Sequence, residues 1–201
     1  MAEKHLHVML QNIPANWRDR LILLQNELLP DDWTKHDYDN PTVISVWFEK
    51  KKGQDTKVII PSPAYGPNAG LLETALGSID IPVQILDDSK ALLFELVRKN
   101  VYILTTNIAG LKTGGNVGEL WSQHRDTARA IAGEVVQLQE KLTRQTLDPE
   151  ALIAAMVKAF EDDPKHMCMG RSAPARLQRA MELADNFELG LPVLRSIAAT
   201  T

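Results

Sequence analysis

Between Asp87 and Leu111 the apolar side chains do not keep to one stripe of a helical period. Leu92, Leu93, Phe94, Leu96, Val97, Val101, Tyr102, Ile103, Leu104, Ile108 and Leu111 go most of the way round. A helix apolar on nearly all sides belongs in a core. Asp88 or Ser89 can cap its first turn, and Gly110, Gly114 and Gly115 end it or lie just beyond. Along this greasy segment runs a polar seam of Glu95, Lys99, Thr106 and Asn107. Lys99 and Thr106 lie about 20° apart, Glu95 about 40° to one side and Asn107 about 80° to the other. The seam reads either as an exposed edge with a Glu95–Lys99 i,i+4 ion pair or as the wall of a cleft.

Upstream, Leu6–Leu10 is a short apolar run that reads as a strand buried on both faces, as in a parallel sheet. Pro14 then opens a helix expected over Ala15–Leu29, with Trp17, Leu21, Leu24 and Leu28 as its inner stripe and Pro30 as its stop. Thr42–Glu49 and Thr56–Ile60 are rich in β-branched and aromatic residues and predict a hairpin. Pro61, Pro63, Gly66 and Pro67 predict a rigid loop, a connector or a pocket rim. A short helix over Ala69–Ser78 and a strand over Pro82–Leu86 complete a small α/β layer.

Downstream everything reads as helix. Asn116–Thr143 is long and amphipathic. Asp148-Pro149-Glu150 is a strong helix start, running to about Phe160 and stopping at Asp163-Pro164. Helices over Ala173–Phe187 and Val193–Ala198 follow. The fold class is therefore α+β: an α/β layer with a β-hairpin over 1–86, then an all-α domain over 87–201.

Composition adds exclusions. The net charge of -4 and sequence pI of about 5.7 argue against a nucleic-acid partner. The one dense basic run, Lys50-Lys51-Lys52, falls at the expected hairpin tip. No apolar run is long enough to span a bilayer, and the first residues lack the apolar region of a signal peptide. Cys168 is the single cysteine, so no internal disulfide forms, and a reducing, cytoplasmic setting is expected.

No nucleotide-binding, zinc-protease or thiol-pair motif occurs. His5 and His7 share one face of the expected strand and read as a solvated pair before they read as a chelate. His166, Met167, Cys168 and Met169 offer soft donors that suit Cu(I), but Met and Cys also fill cores; no metal is expected. Cys168 lacks an identifiable partner base. Arg171 and Ser172 precede a helix start, where outward amides and the dipole favour an anion. Ser172 as a plain N-cap is the alternative.

The order of these parts resembles the ketopantoate reductase family, in which a Rossmann domain is joined to a helical domain like that of 6-phosphogluconate dehydrogenase. The residues that carry the resemblance are Leu10-Gln11-Asn12 at a strand end, the hairpin, the approach PVQILDD, Lys99 and Asn107, NVGEL at 116–120, and Gly190-Leu191-Pro192. It implies an incomplete Rossmann-like layer before the helical domain, and an NAD(P)-dependent reductase of 2-keto acids. By resemblance Lys99 is the general acid/base, and Asn12 and Asn107 orient substrate or cofactor, with Arg171 and Ser172 as further substrate-binding candidates. Ile103 stands where the family has a second asparagine, and the family's acidic residue before the terminal helix is replaced by Ser172 or a neighbour. The glycine-rich turn of the first nucleotide-binding half is absent, so the chain reads as beginning late in the Rossmann sheet. NADP follows from the resemblance only, and none is expected for this chain alone. Expected partners are a second copy or a complementing subunit and a small carboxylate, with neither nucleic acid nor membrane. The alternative is a non-catalytic small-acid-binding or dimerisation module.

Overall fold

The computed structural model describes residues 5–50 and 52–200. The chain divides into two compact units, Met1–Lys99 and Asn100–Thr201.

The first unit is built on a four-stranded sheet in the order β1 (Ile22–Leu23), β2 (Thr42–Ile44), β5 (Ser62–Tyr65), β6 (Val83–Ile85). β1 pairs parallel with β2, β2 antiparallel with β5, and β5 parallel with β6. The parallel pair β5–β6 is joined through α3 (Ala69–Gly77). Ile44, Ala64 and Ala69 form the core beneath it, with Ile22, Val46, Leu72, Leu76 and Val83 packed around them. A separate hairpin pairs β3 (Phe48–Glu49) with β4 (Lys57–Val58). The hairpin is where the sequence puts it, but Thr42–Ile44 belongs to the sheet instead.

Three sequence expectations are corrected here. Leu6–Leu10 is not a strand but part of α1 (Leu6–Asn12). Leu6 and Leu10, four residues apart, are buried while Val8 and Met9 face outward, and the Tyr38 hydroxyl donates to the Leu10 carbonyl at 2.9 Å. That is a helical face, and no neighbouring strand is needed to satisfy it. His5 and His7 therefore share no strand face, and His7 Nδ1 instead meets His36 Nε2 at 3.1 Å.

The helix expected over Ala15–Leu29 is only a 3-10 turn, Ala15–Arg20, followed by β1. Trp17 and Leu24 are exposed rather than inward. The Thr42 N–H donates to the Leu21 carbonyl at 3.1 Å, so pairing with β2 draws the segment into the sheet.

The proline-rich loop contains β5. Pro63 is tolerated because it lies opposite Ser45, one residue past the end of β2, where only its carbonyl is used: Ser45 N–H donates to it at 2.8 Å. Gly66 then turns the chain at φ +118°, and a Cβ there would sit 2.7 Å from the Pro41 oxygen and Thr42 Cα.

The expected long helix is present as α4 (Ser89–Thr113), with Asp88 as the capping side chain, accepting from Ala91 N–H at 2.7 Å. Gly110 lies inside it rather than at its end. Its residues 89–99 count with the first unit and 100–113 with the second.

The second unit holds the rest of the helices: α5 (Val117–Gln123), α6 (Arg125–Thr143), α7 (Pro149–Asp162), α8 (Ala173–Asn186) and α9 (Pro192–Ala198). The single helix expected over Asn116–Thr143 is broken at His124, whose φ of -131° and ψ of 31° leave the helical region. Asn116 and Glu119 form a reciprocal capping box that starts α5. α7 starts as its sequence predicts, with the Asp148 carboxylate accepting from Ala151 N–H at 3.0 Å and Pro149 in the first turn. Among the described residues no helix is long and apolar enough to cross a membrane.

The buried Glu134 of α6 accepts from the Val193 and Leu194 N–H groups at 2.8 and 2.9 Å. Its carboxylate thus satisfies the first amides of α9, which follow Pro192 and a left-handed Leu191. Glu134→Ala is expected to cost roughly 2–4 kcal/mol, since it leaves two amides without an acceptor. Urea unfolding of the two proteins measures this, and a loss under about 0.5 kcal/mol contradicts the capping role.

Candidate functional site

In the first unit the chain leaves β2 and crosses to the hairpin through Ser45–Trp47. Trp47 is fully buried, and its backbone is held on both sides: its N–H donates to Ser62 Oγ at 2.9 Å, and its carbonyl accepts from Ile59 N–H at 2.8 Å. Over its ring lies the ammonium of Lys99, with Nζ 3.9 Å from the centroid. The guanidinium of Arg98 approaches the same ring at 5.2 Å. Both are within the range of a cation–π contact, for which indole is the best aromatic partner.

Glu95 pairs with Arg98 at 3.2 Å, the i,i+3 partner rather than the i,i+4 one expected from the sequence. Burial raises the proton affinity of Glu95, and the neighbouring Arg98 charge and hydrogen bond pull it back. Ser45 Oγ donates to the Glu95 carbonyl at 3.4 Å. Lys99 therefore does not lie along an open edge: it is half-buried on an aromatic face.

In the second unit Asn107 is buried, and both ends of its amide are engaged. Nδ2 donates to the Ile103 carbonyl at 2.8 Å, while Oδ1 accepts from Gly170 N–H at 3.2 Å and from the Arg176 guanidinium at 3.3 Å. The segment before α8 is brought this close by Gly110, where a Cβ would lie 2.8 Å from Met169 Cβ and 3.0 Å from Cys168 Cβ. It is further fixed by Cys168 N–H to the Gly115 carbonyl at 3.0 Å and Val117 N–H to the His166 carbonyl at 2.9 Å.

Arg171 and Ser172 follow directly and are exposed. Ser172 occupies the N-cap position of α8, but its hydroxyl makes no capping hydrogen bond. The structure thus brings Asn107 next to Gly170 and Arg176. Arg176 was missed in the sequence because its register four residues into an amphipathic helix looks like an ordinary solvated cation.

The soft-donor run does not converge: Cys168 is buried, and Met167 and Met169 are exposed. Burial, with the Glu119 charge second, pushes the Cys168 thiol up to about 11, so it is a protonated core residue.

Asn12 lies at the end of α1, exposed, with its amide donating to the Val8 carbonyl at 2.6 Å. The triplet Leu-Gln-Asn occurs a second time at Leu24-Gln25-Asn26. That copy directly follows the parallel strand β1, and it leads into Glu27, a non-glycine residue at φ 62°. Ligands of open α/β sheets gather beyond the carboxyl ends of such strands, and uncommon backbone angles cluster at functional turns. The repeated triplet was the available sequence signal.

Among solved structures, the chain is similar to a D-mandelate dehydrogenase in complex with NADH (TM-score 0.64, 12% identity, 99% of this chain and 74% of that one). It is also similar to a dimeric ketopantoate reductase from Staphylococcus aureus (TM-score 0.59, 15% identity, 89% of this chain and 65% of that one). A third is the 2-dehydropantoate 2-reductase from Methylococcus capsulatus (TM-score 0.61, 12% identity, 89% and 63%). The chain thus spans less than two thirds of these two reductases. No protein-family model matches. No curated protein matches by sequence. These likenesses establish a reductase-like fold: a partial Rossmann-like α/β part with a helical domain.

A nicotinamide dinucleotide needs a strand-to-helix turn whose amides and bare glycines admit a pyrophosphate. The described turn between β5 and α3 does not fit one. The open side of Gly66 is filled by the Pro41 and Thr42 backbone, Pro67 has no N–H, and Asn68 N–H donates to Thr42 Oγ1 at 2.8 Å. The turn between β6 and α4 presents Asp87 and Asp88, the latter already capping the helix.

Asn107→Ala is expected to raise amide exchange at Gly170 and to cost roughly 1–3 kcal/mol. Hydrogen exchange read by NMR checks it, and unchanged protection at Gly170 overturns the tie. Cys168 in the folded protein is expected to resist Ellman's reagent at pH 8, because its burial raises the thiol pKa and blocks the reagent, and to react at once in denaturant.

Proposed function

We propose that this chain is a ketopantoate-reductase-like protein supplying the proton-transfer and carboxylate-holding groups of a 2-keto-acid reductase. Lys99 is the general acid/base. Its ammonium gives a proton to the substrate carbonyl oxygen as negative charge develops there, and recovers it in the reverse direction. The observation that carries this reading is the seat of Lys99 Nζ, 3.9 Å over a fully buried indole on a helix that is otherwise largely apolar.

Asn107 fixes the segment that presents Arg171 and Ser172, and these two hold the substrate carboxylate by charge and hydrogen bond. Asn26, beyond β1, takes the orienting role that the family resemblance implies for Asn12. Residues 87–201 are the helical domain that carries Lys99, Asn107, Arg171 and Ser172, and residues 1–86 are the α/β part. The nucleotide-binding half lies outside residues 1–201, and the free Cys168 suits a cytoplasmic setting.

The misfit of the two strand-to-helix turns supports a second reading, a non-catalytic small-acid-binding or dimerisation module. Two titrations test the first reading. A 2-keto acid at ten times its Kd is expected to raise the Tm by roughly 3–5 °C, and Lys99→Ala and Arg171→Ala are each expected to abolish the shift. Equal shifts in both variants mean that these residues hold no substrate. NADPH fluorescence is expected to stay unchanged at millimolar cofactor with residues 1–201 alone; quenching, or consumption of NADPH once the acid is added, assigns the cofactor site to these residues and overturns a nucleotide-binding half outside them.

A further inference from the structure

We infer that Trp47 is the positioning residue for Lys99, its indole face being the seat that holds the ammonium in one place. The inference rests on the reading of Lys99 as the acid. A lysine side chain has four rotatable bonds and, on an open helix face, spreads its charge over a wide arc. A proton donor works only when held within hydrogen-bond reach of the atom it serves.

Here the restraint comes from outside the helix. Trp47 follows β2, at the crossing to the hairpin, and is pinned through its own backbone by Ser62 Oγ at 2.9 Å and Ile59 N–H at 2.8 Å. Its side chain is fully buried, so the ring cannot turn to follow a moving cation. The Lys99 nitrogen lies 3.9 Å from the centroid of that fixed ring.

Arg98 completes the arrangement. Consecutive helix residues point about 100° apart, so one ring reaches both cations only by lying in the angle between them. Two positive groups on one ring repel, and the Glu95 carboxylate, 3.2 Å from Arg98, offsets the second charge. Glu95 thus pairs with the guanidinium, which stands 5.2 Å from the ring centroid, farther than the ammonium at 3.9 Å. Trp47 touches no reacting atom in this scheme and acts only through Lys99.

The test needs no substrate. Acetylation by an N-hydroxysuccinimide ester, followed by peptide mass spectrometry, gives the rate at Lys99 relative to exposed lysines such as Lys57 and Lys90. In the wild-type protein Lys99 is expected to react slowly. Trp47→Leu is expected to raise its relative rate on the order of 5-fold, with Trp47→Phe, which keeps a weaker ring face, in between. Rates at Lys99 that are the same in wild type and Trp47→Phe, with an unchanged circular dichroism spectrum, overturn the seat.

Should the tryptophan variants fail to fold, the reciprocal variant decides. Lys99→Met removes the cation and leaves the ring, so the Trp47 ring resonances in a 13C-labelled protein are expected to move. Resonances that stay where they were overturn the inference. The two readings fail separately: a protected Lys99 whose alanine variant still binds 2-keto acid keeps the seat and removes the acid, while loss of binding with an unprotected Lys99 does the reverse.

Discussion

A polar side chain on a helix buried on nearly all sides must find a partner inside the protein, because water is not there to supply one. α4 works under that constraint. Asn100 gives its amide to Gln139 at 3.0 Å, Thr106 returns its hydroxyl to the Tyr102 carbonyl at 2.8 Å, and Asn107 engages backbone and side chain together. Thr105 departs from this: its buried hydroxyl has no hydrogen-bond partner among the described residues. The cost of such an orphan is about 1–3 kcal/mol, so the packing around that turn carries the difference. Satisfying α4 fixes the surroundings as well, since the Asn107 oxygen also ties down the segment before α8.

Two ways of holding a charge inside the protein are visible, and they differ in what they leave available. Glu134 is a buried carboxylate whose two oxygens are both spent on the first amides of α9. It stabilises by removing two orphan donors and keeps no capacity for chemistry. Lys99 is held instead by a ring face, which accepts no proton and forms no directional hydrogen bond. The ring locates the ammonium at 3.9 Å from its centroid. A proton-transfer role is proposed for this lysine and not for a carboxylate already spent on α9.

Much of the helical half was legible because its signals are local. Asp148-Pro149-Glu150 starts a helix through groups within three residues of one another, and Asn116 with Glu119 does the same. Lys99 and Asn107 stood out because a polar residue breaks an apolar surround at a readable phase. The α/β half was read less well. Leu6–Leu10 and Ala15–Leu29 are apolar runs whose state depends on what lies beside them, and each took the opposite form to the one its composition suggested. Trp47 and Arg176 had no local mark at all, and the Leu24-Gln25-Asn26 turn showed only as a repeated triplet.

The sequence by itself determined where α4, α7 and α8 begin, that the long segment after residue 87 is a core helix, and that a cation is set into it. Caps, periodicity and turn residues act over a few positions, so one chain read in order contains them. Only the tertiary structure decided that β1 joins β2, that Pro63 is admitted opposite a strand end, and that Lys99 rests on Trp47 while Asn107 meets Gly170. Those pairings join residues some 18 to 63 positions apart. Their energy depends on burial and close approach, which have no value until the chain has folded back on itself.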